Sequence, residues 1–336
     1  MFALLGLLGL MAAGYALSPI LDFGRAAPEE DDDPLPKPDD EPATAGGDLL
    51  DEDDPIEITT PAPLDPLQGI LAWAAKGGEV LQGSALNDYL LGDDGDDRLE
   101  GGAGDDELLG GNGNDVLIGG DGDDKLYGGA GDDILLGEAG DDLIHGGDGD
   151  DYLHGGSGDD VLHGGPGDDI LVGGLGSDTL FGGAGNDILD GREPAGQATR
   201  DWLNGGAGDD RLYLGALDIG HGGTGADTFV LTAAQGAEGF AEVQDYISDD
   251  DLIEVLYDGD TPPVLTTAAG QGGVMLLADG VALAFFEGQA DLPLDRIVLT
   301  PAADDITDTS GTEWLQRWAD RQADKQSATQ NPSPDS

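Results

Sequence analysis

The chain has 336 residues, of which 71 are acidic and only 12 are Lys or Arg, so its formal net charge at pH 7 is −59. This balance excludes nucleic acid as a partner and disfavours an anionic membrane surface, and it predicts either disorder or bound cations. The absence of cysteine excludes disulfides, thiolate metal sites and cysteine catalysis.

The N-terminal segment, residues 1–24, is hydrophobic and contains an uncharged run, FALLGLLGLMAAGYALSPIL, at 2–21. The run is long enough for a membrane-spanning helix. The small residues Gly14 and Ala16 also suit cleavage of a secretory signal peptide. No basic residue precedes the run, which argues against a signal, and Arg25 is the nearest positive charge, which gives an anchor little to set its orientation. A retained anchor, a cleaved signal and a segment that does neither therefore stay open.

An acidic, proline-rich stretch follows at 25–66 and contains too little apolar surface to fold. We expect a disordered, extended linker there. Residues 67–82 are more apolar and are predicted to form an N-terminal cap around Ile70, Leu71 and Trp73.

A nine-residue phrase occupies most of the middle of the chain, as in GGDGDDYLHGGSGDDVLH at 146–163. It runs twelve times without a break from Gly83 to Asp190. A unit with five additional residues (191–204), a regular unit (205–213), the eight-residue unit LGALDIGH and a last unit (222–230) follow. Position six is aspartate in all twelve units and in three later ones: Asp88, Asp97, Asp106, Asp115, Asp124, Asp133, Asp142, Asp151, Asp160, Asp169, Asp178, Asp187, Asp201, Asp210 and Asp227.

The spacing of residue types within the phrase predicts a β-solenoid. Glycines at positions one, two and four permit tight turns, and positions seven to nine suit a very short strand with the aliphatic eighth side chain inward. Two units complete one coil, so turns eighteen residues apart stack at one edge. Position five adds further carboxylates to these edges: Asp96, Asp105, Asp123, Asp132, Asp141, Asp150, Asp159, Asp168 and Asp209.

The repeat pattern ends at residue 230. Residues 231–300 contain five short apolar runs (FAEVQDYI, DLIEVLYD, GVMLLADG, VALAFFEG and DRIVLT), which predict a non-repeating β cap. Residues 301–336 are a polar tail in which TEWLQRWADRQADK predicts one short helix with Trp314, Leu315 and Trp318 on a face.

The stacked aspartates determine the chemistry of the solenoid edges. Rows of carboxylates repel each other unless a counter-charge binds them, and one buried leucine per unit is a small stabilising contribution. The turns offer carboxylate and carbonyl oxygens, which select a hard cation, and calcium accepts six to eight such oxygens in flexible geometry. Two stacked turns can enclose such an ion, and its binding energy then becomes folding energy.

The phrase resembles GGxGxDxUx, the calcium-binding nonapeptide of the repeats-in-toxin (RTX) family, over residues 83–230. The resemblance implies an all-β fold, a parallel β-roll with calcium held between successive turns and about ten Ca²⁺ ions. It implies that the position-six aspartates are side-chain ligands and that those of position five contribute. Carbonyl groups of the glycine-rich turns would complete the sites: Gly102, Gly104, Gly111, Gly113, Gly120, Gly122, Gly129, Gly131, Gly147, Gly149, Gly156, Gly158, Gly165 and Gly167.

Several units depart from the pattern. Ser84 and Leu86 replace glycines in the first unit, and Glu138 replaces a second-position glycine. Ser177 and Ala226 remove the acid at position five. Arg200 precedes Asp201 and could partly replace a cation there. The sites near 83–91 and 191–227 therefore depart most from the family pattern.

The remaining motifs give alternatives to a purely structural interpretation. His145 and His163 fall one coil apart, so they are either solvent-facing residues or a zinc or proton-sensing pair. HGGSG at 154–158 lies within the repeat register, and neither GxSxG nor HExxH is present. We expect a non-enzymatic calcium-binding protein, secreted or membrane-anchored at a bacterial envelope, with a structural, adhesion or scaffold role and unknown protein or glycan partners. The alternative is an RTX-type secreted enzyme or toxin whose activity resides in residues 231–300.

Overall fold

The structure is a computed structural model, and it describes residues 69–73, 77–194, 197–233 and 239–302. The apolar run at 2–21, the acidic linker and the C-terminal tail with its expected helix lie outside these ranges, apart from residues 301 and 302. In the described part of the chain, no helix has the length and apolar character needed to span a membrane.

The described residues form short β-strands from end to end. In chain order they are β1 (Leu71–Trp73), β2 (Val80–Gln82), β3 (Tyr89–Asp94), β4 (Arg98–Ala103), β5 (Glu107–Asn112), β6 (Val116–Asp121), β7 (Lys125–Ala130), β8 (Ile134–Ala139), β9 (Leu143–Asp148), β10 (Tyr152–Ser157), β11 (Val161–Pro166), β12 (Ile170–Leu175), β13 (Thr179–Ala184), β14 (Ile188–Asp190), β15 (Trp202–Ala207), β16 (Arg211–Leu214), β17 (Ile219–Thr224), β18 (Thr228–Ala233), β19 (Ala241–Val243), β20 (Leu252–Tyr257), β21 (Leu265–Gly270), β22 (Gly273–Ala278), β23 (Val281–Glu287) and β24 (Val298–Pro301).

The strands alternate between two sheets, so successive units lie on opposite sides of a roll. The odd-numbered strands from β1 to β19 form one sheet, called the odd sheet. The even-numbered strands from β2 to β20 form the other, called the even sheet. All of these pairs are parallel, and Leu153 pairs with Leu135 on one side and Leu171 on the other, a shift of one coil. The expectation of an all-β parallel β-roll is confirmed, with about nine coils.

The aliphatic side chains of position eight fill the space between the sheets. From Leu90 to Leu189 every one of them is fully buried, and all belong to one hydrophobic cluster that continues through Leu203 and Leu212 to Phe229. The inward direction predicted for position eight is therefore observed. Because each coil contributes only two such side chains, this core is thin and depends on the stacking of neighbouring coils.

The strands are longer than the three residues that the phrase predicts. β10 covers positions seven to nine of one unit and positions one to three of the next, and Gly156 at its far end still pairs with Gly174 of β12. The paired glycines lengthen the hydrogen-bonded ladder, which leaves only positions four to six to reverse the chain.

The turn glycines of positions two and four adopt backbone conformations that other residues rarely adopt. Gly149 has φ +134°, and a Cβ atom placed on it would lie 2.1 Å from the carbonyl oxygen of Gly131 in the preceding coil. The same positive φ, between +110° and +148°, occurs at each position-two and position-four glycine that the sequence singled out as a turn residue. Glycine is needed here because the turns stack closely as well as bend sharply.

Two position-two residues keep a side chain despite this geometry. Asp93 and Glu138 have φ values of 76° and 79°. We expect Glu138→Gly to stabilise the calcium-loaded protein by about 1 kcal/mol. The left-handed region costs an L-residue about 1–2 kcal/mol, which glycine avoids. Part of this gain is offset because glycine loses more backbone entropy on folding. Urea unfolding at saturating calcium measures the difference.

The control for this prediction is Glu138→Ala, which removes the carboxylate but keeps a Cβ in the same backbone conformation. An equal gain from Glu138→Ala would show that charge, and not backbone strain, limits stability at this turn.

The C-terminal strands close the roll. β20 and β24 extend the even sheet in parallel, whereas β21, β22 and β23 form an antiparallel meander at the end of the odd sheet. Four of the five predicted apolar runs contain a strand and the fifth, DRIVLT, overlaps β24, whereas β21, whose side chains are mostly exposed, was not predicted. Val255, Leu276 and Phe286 join the same core as the repeat residues, as expected of a cap.

Candidate metal centre

The position-six aspartates form two buried rows, one along each edge of the roll. All fifteen of them, from Asp88 to Asp227, are 4% exposed or less. The following strand fixes where each aspartate lies. Position six ends the turn, and position eight, two residues later, faces the core, so the position-six side chain also points inward. Burial of this degree was not foreseen from the sequence, which placed the carboxylates at the turns without indicating how deep they lie.

Hydrogen bonds along the row orient each carboxylate. The backbone N–H of Asp133 donates to Oδ1 of Asp151 at 2.8 Å, and the N–H of Asp151 donates to Oδ1 of Asp169 at 2.8 Å. The same contact recurs from coil to coil, so one oxygen of every carboxylate in the row is held by the preceding coil. The second oxygen, Oδ2, is thereby directed to one side.

Thirteen of these fifteen second oxygens are buried and have no hydrogen-bond partner among the described residues, whereas Oδ2 of Asp88 accepts the N–H of Ser84. Oδ2 of Asp151 faces Gly146, where a Cβ atom would lie 2.3 Å from this oxygen and 2.9 Å from the carbonyl oxygen of Gly164. A side chain at position one would fill the small space that these two oxygens border, so this position needs glycine. The aspartates with such an Oδ2 are Asp97, Asp106, Asp115, Asp124, Asp133, Asp142, Asp151, Asp160, Asp169, Asp178, Asp187, Asp201 and Asp210.

The position-five carboxylates form a separate, more exposed row. The backbone N–H of Asp159 donates to Oδ1 of Asp141 at 2.8 Å, and the N–H of Ser177 donates to Oδ1 of Asp159 at 2.8 Å. This row runs in the opposite direction to that of position six, because each Oδ1 accepts from the following coil. Its members, from Asp96 to Asp209, are exposed or half-buried. The structure thus separates two sets of carboxylates that the phrase places side by side.

The buried row strongly disfavours its own ionised form. Burial, with smaller contributions from neighbouring aspartates, raises the pKa of Asp151 to about 9 and the pKa values of Asp133 and Asp160 to about 8. None of the ion pairs between described residues neutralises a position-six aspartate; they join Arg98 to Glu100, Arg192 to Asp190, Arg211 to Glu254 and His221 to Asp245. Buried carboxylates in this state need either a proton or a cation.

Three further acids extend the rows beyond the nine-residue register. Oδ1 of Asp218 accepts the N–H of Asp201 at 3.2 Å, and Oδ1 of Asp251 accepts the N–H of Asp227 at 3.1 Å. At the other end, Glu79 has a buried Oε2 without a partner. Sequence reasoning missed all three because the glycines of positions one and two are absent before them. The acid–x–aliphatic fragments at Glu79 and Asp251 are the signal that could have revealed two of them.

Arg200 and the histidine pair both lie outside the buried carboxylate rows. Arg200 is exposed and Oδ2 of Asp201 has no hydrogen-bond partner, so this arginine does not take the place of a cation there. The rings of His145 and His163 stack on the outer face at 4.7 Å, between Tyr127 and Phe181, and burial lowers the pKa of both histidines. No histidine belongs to a group of three candidate metal ligands among the described residues.

The repeats match the family described as RTX calcium-binding nonapeptide repeat (4 copies). The matched segments are 73–108, 101–135, 109–144, 127–162, 163–193 and 195–218. Residues 73–218 therefore contain RTX calcium-binding repeats. RTX repeats bind calcium, and the oxygen-only surroundings of the buried Oδ2 atoms fit that ion.

Comparison with solved structures found further similar chains. The solution structure of the AlgE6R3 subunit from the Azotobacter vinelandii mannuronan C5-epimerase is 27% identical and covers 47% of this chain and 83% of its own, with a TM-score of 0.24. The crystal structure of the extracellular lipase LipA from Serratia marcescens is 17% identical and covers 60% of this chain, with a TM-score of 0.22. The match spans only 41% of that lipase. The curated proteins gave no significant match.

Proposed function

We propose that this protein is a non-enzymatic structural element that folds into its β-roll when calcium binds outside the cell. One observation carries the proposal: in the part of the chain that the structure describes, thirteen buried aspartate oxygens lack a hydrogen-bond partner. Leaving so many carboxylates buried and uncompensated would strongly destabilise the fold, whereas calcium supplies the missing positive charge. The acid rows are then the means by which calcium controls folding.

The position-six aspartates would supply the main side-chain ligands, and turn carbonyls would complete each site. The carbonyl of a position-one glycine is one candidate, because the point that a Cβ on Gly146 would occupy lies 2.3 Å from Oδ2 of Asp151 and 2.9 Å from the carbonyl oxygen of Gly164. The position-five carboxylates, being more exposed, would attract ions and contribute at the outer side of the turns. Sharing of ions between turns one coil apart gives about ten sites on the roll at 83–230, between caps at 67–82 and 231–300.

The expected location follows from calcium availability. Extracellular calcium modules have dissociation constants of roughly 10⁻⁴–10⁻³ M, so such a roll stays unfolded where calcium is scarce and becomes rigid outside the cell. The folded roll would act as a spacer, adhesion or scaffold element at a bacterial envelope or in the medium. The apolar run at 2–21 would hold it on the membrane or be removed on export.

A calcium titration of the full chain tests this function. Metal-stripped protein at pH 7.5 is expected to show little β-sheet circular dichroism, which rises cooperatively between roughly 0.1 and several mM calcium. Magnesium is the control and should leave the spectrum nearly unchanged, because it requires near-octahedral geometry and releases its waters reluctantly. A spectrum that does not change at several mM calcium would refute the proposal.

A further inference from the structure

A cluster of three carboxylates lies where the repeat is interrupted. Glu193 comes from the five-residue insertion, Asp218 from the eight-residue unit, and Asp201 from the strand start between them. One oxygen from each lies within 4.8 Å of the other two, and the described residues contain no other such group of three acidic or histidine ligands. Asp201 and Asp218 are completely buried.

The surroundings hold these carboxylates in place and leave space between them. Oδ2 of Asp218 accepts the N–H of Gly215 at 2.6 Å, and Oε1 of Glu193 accepts the N–H of Thr199 at 3.1 Å. A Cβ atom on Gly191 would lie 3.0 Å from Oδ2 of Asp201 and 3.2 Å from Oδ2 of Asp218. Glycine therefore keeps the space between the two carboxylates open. Oδ2 of Asp201, buried and without a hydrogen-bond partner, borders this space.

The cluster differs from the regular turns in its charge. A regular turn presents one buried carboxylate beside glycine carbonyls, whereas three ionisable side chains converge here. No ion pair with a basic side chain neutralises any of the three among the described residues. Affinity of an oxygen site for calcium rises with the number of charged ligands and with rigidity.

We propose that Glu193, Asp201 and Asp218 together bind one calcium ion more tightly than the repeat turns do. This inference rests on the proposed calcium-dependent folding, because Asp201 also belongs to the repeat row. The ion would fasten the insertion to the roll, since the Thr199 hydroxyl already ties the same loop to the carbonyl oxygen of Gly176 at 2.7 Å. The irregular units then form a separate calcium site and are not simply degenerate repeats.

Counting bound calcium after equilibrium dialysis tests the cluster. At the lowest free calcium concentration at which circular dichroism shows the full chain folded, we expect the wild type to hold this ion in every chain. Glu193→Gln and Asp218→Asn should each lose that ion, while the folding midpoint moves less than about twofold. Glu107→Gln, which removes a carboxylate on the outer face of the odd sheet, is the matched control and should retain the ion.

The outcomes separate this inference from the general function. Calcium-dependent folding with unchanged ion retention in Glu193→Gln and Asp218→Asn overturns the cluster and leaves the proposed function intact. Absence of calcium-dependent folding in the wild type overturns the proposed function itself. If Asp218→Asn fails to fold, Glu193→Gln decides, because its side chain lies in the insertion loop and is only half-buried.

Discussion

Metal-free protein is expected to gain β-sheet structure when the pH falls from about 8 to about 4. The physical reason is the burial of the position-six row, which raises the pKa of Asp151 to about 9, those of Asp133 and Asp187 to about 8 and that of Asp115 to about 7. In an unfolded chain these groups titrate near 3.9. The folded pKa exceeds the unfolded one, so folding takes up protons and acid favours the folded state.

The pH window follows from the same values. The stabilisation is complete below about pH 4, where the carboxyls are protonated in both states, and it is lost as the pH rises through about 6 to 9. Calcium should reverse the dependence, since ions bind carboxylates and must release protons to do so. Circular dichroism against pH, with EDTA and with 10 mM calcium, measures both curves, and proton release on calcium addition can be followed at constant pH.

A matched pair of variants separates the buried row from the general fall in net charge. Asp151→Asn removes one buried charge and should shift the acid transition of the metal-free protein to higher pH. Asp148→Asn removes an exposed charge in the same unit and should shift it much less. Equal shifts for the two variants would mean that overall repulsion, rather than burial of the row, controls folding.

The second large effect is expected at the stacked turns. Gly149→Ala should destabilise the calcium-loaded protein by at least about 3 kcal/mol, because it places a side chain in a backbone region that is nearly exclusive to glycine. The added Cβ would also lie 2.1 Å from the carbonyl oxygen of Gly131, so the coils must separate. In a solenoid each coil contacts only its neighbours, and this turn lies near the middle of the roll.

Urea unfolding at saturating calcium and the calcium midpoint of folding both measure this effect. We expect a lower urea midpoint and a severalfold higher calcium requirement. Asp148→Ala, at the exposed preceding position, is the control and should change either quantity only slightly. If Gly149→Ala behaves like the control, close stacking of the turns does not limit the stability of the roll.

Much of this fold follows from the nine-residue period of the sequence and from the eighteen-residue coil that two units form. The alternation of strands between two sheets, the one-coil pairing of Leu153 with Leu171 and the inward direction of position eight are all consequences of the repeat. The sequence was less informative where the nine-residue pattern is interrupted. Asp218 and Asp251 continue the buried rows without the glycines that mark the other units.

The sequence by itself determined the residue types available to a ligand: oxygen donors and no thiolate, on turns that are rich in glycine. Only the tertiary structure decided which carboxylates are buried. Adjacent residues such as Asp150 and Asp151 look equivalent in the phrase, yet one lies in an exposed row and the other in the buried one. The difference comes from stacking, because the coils on either side of Asp151 exclude water and hold Oδ1, leaving Oδ2 for a cation.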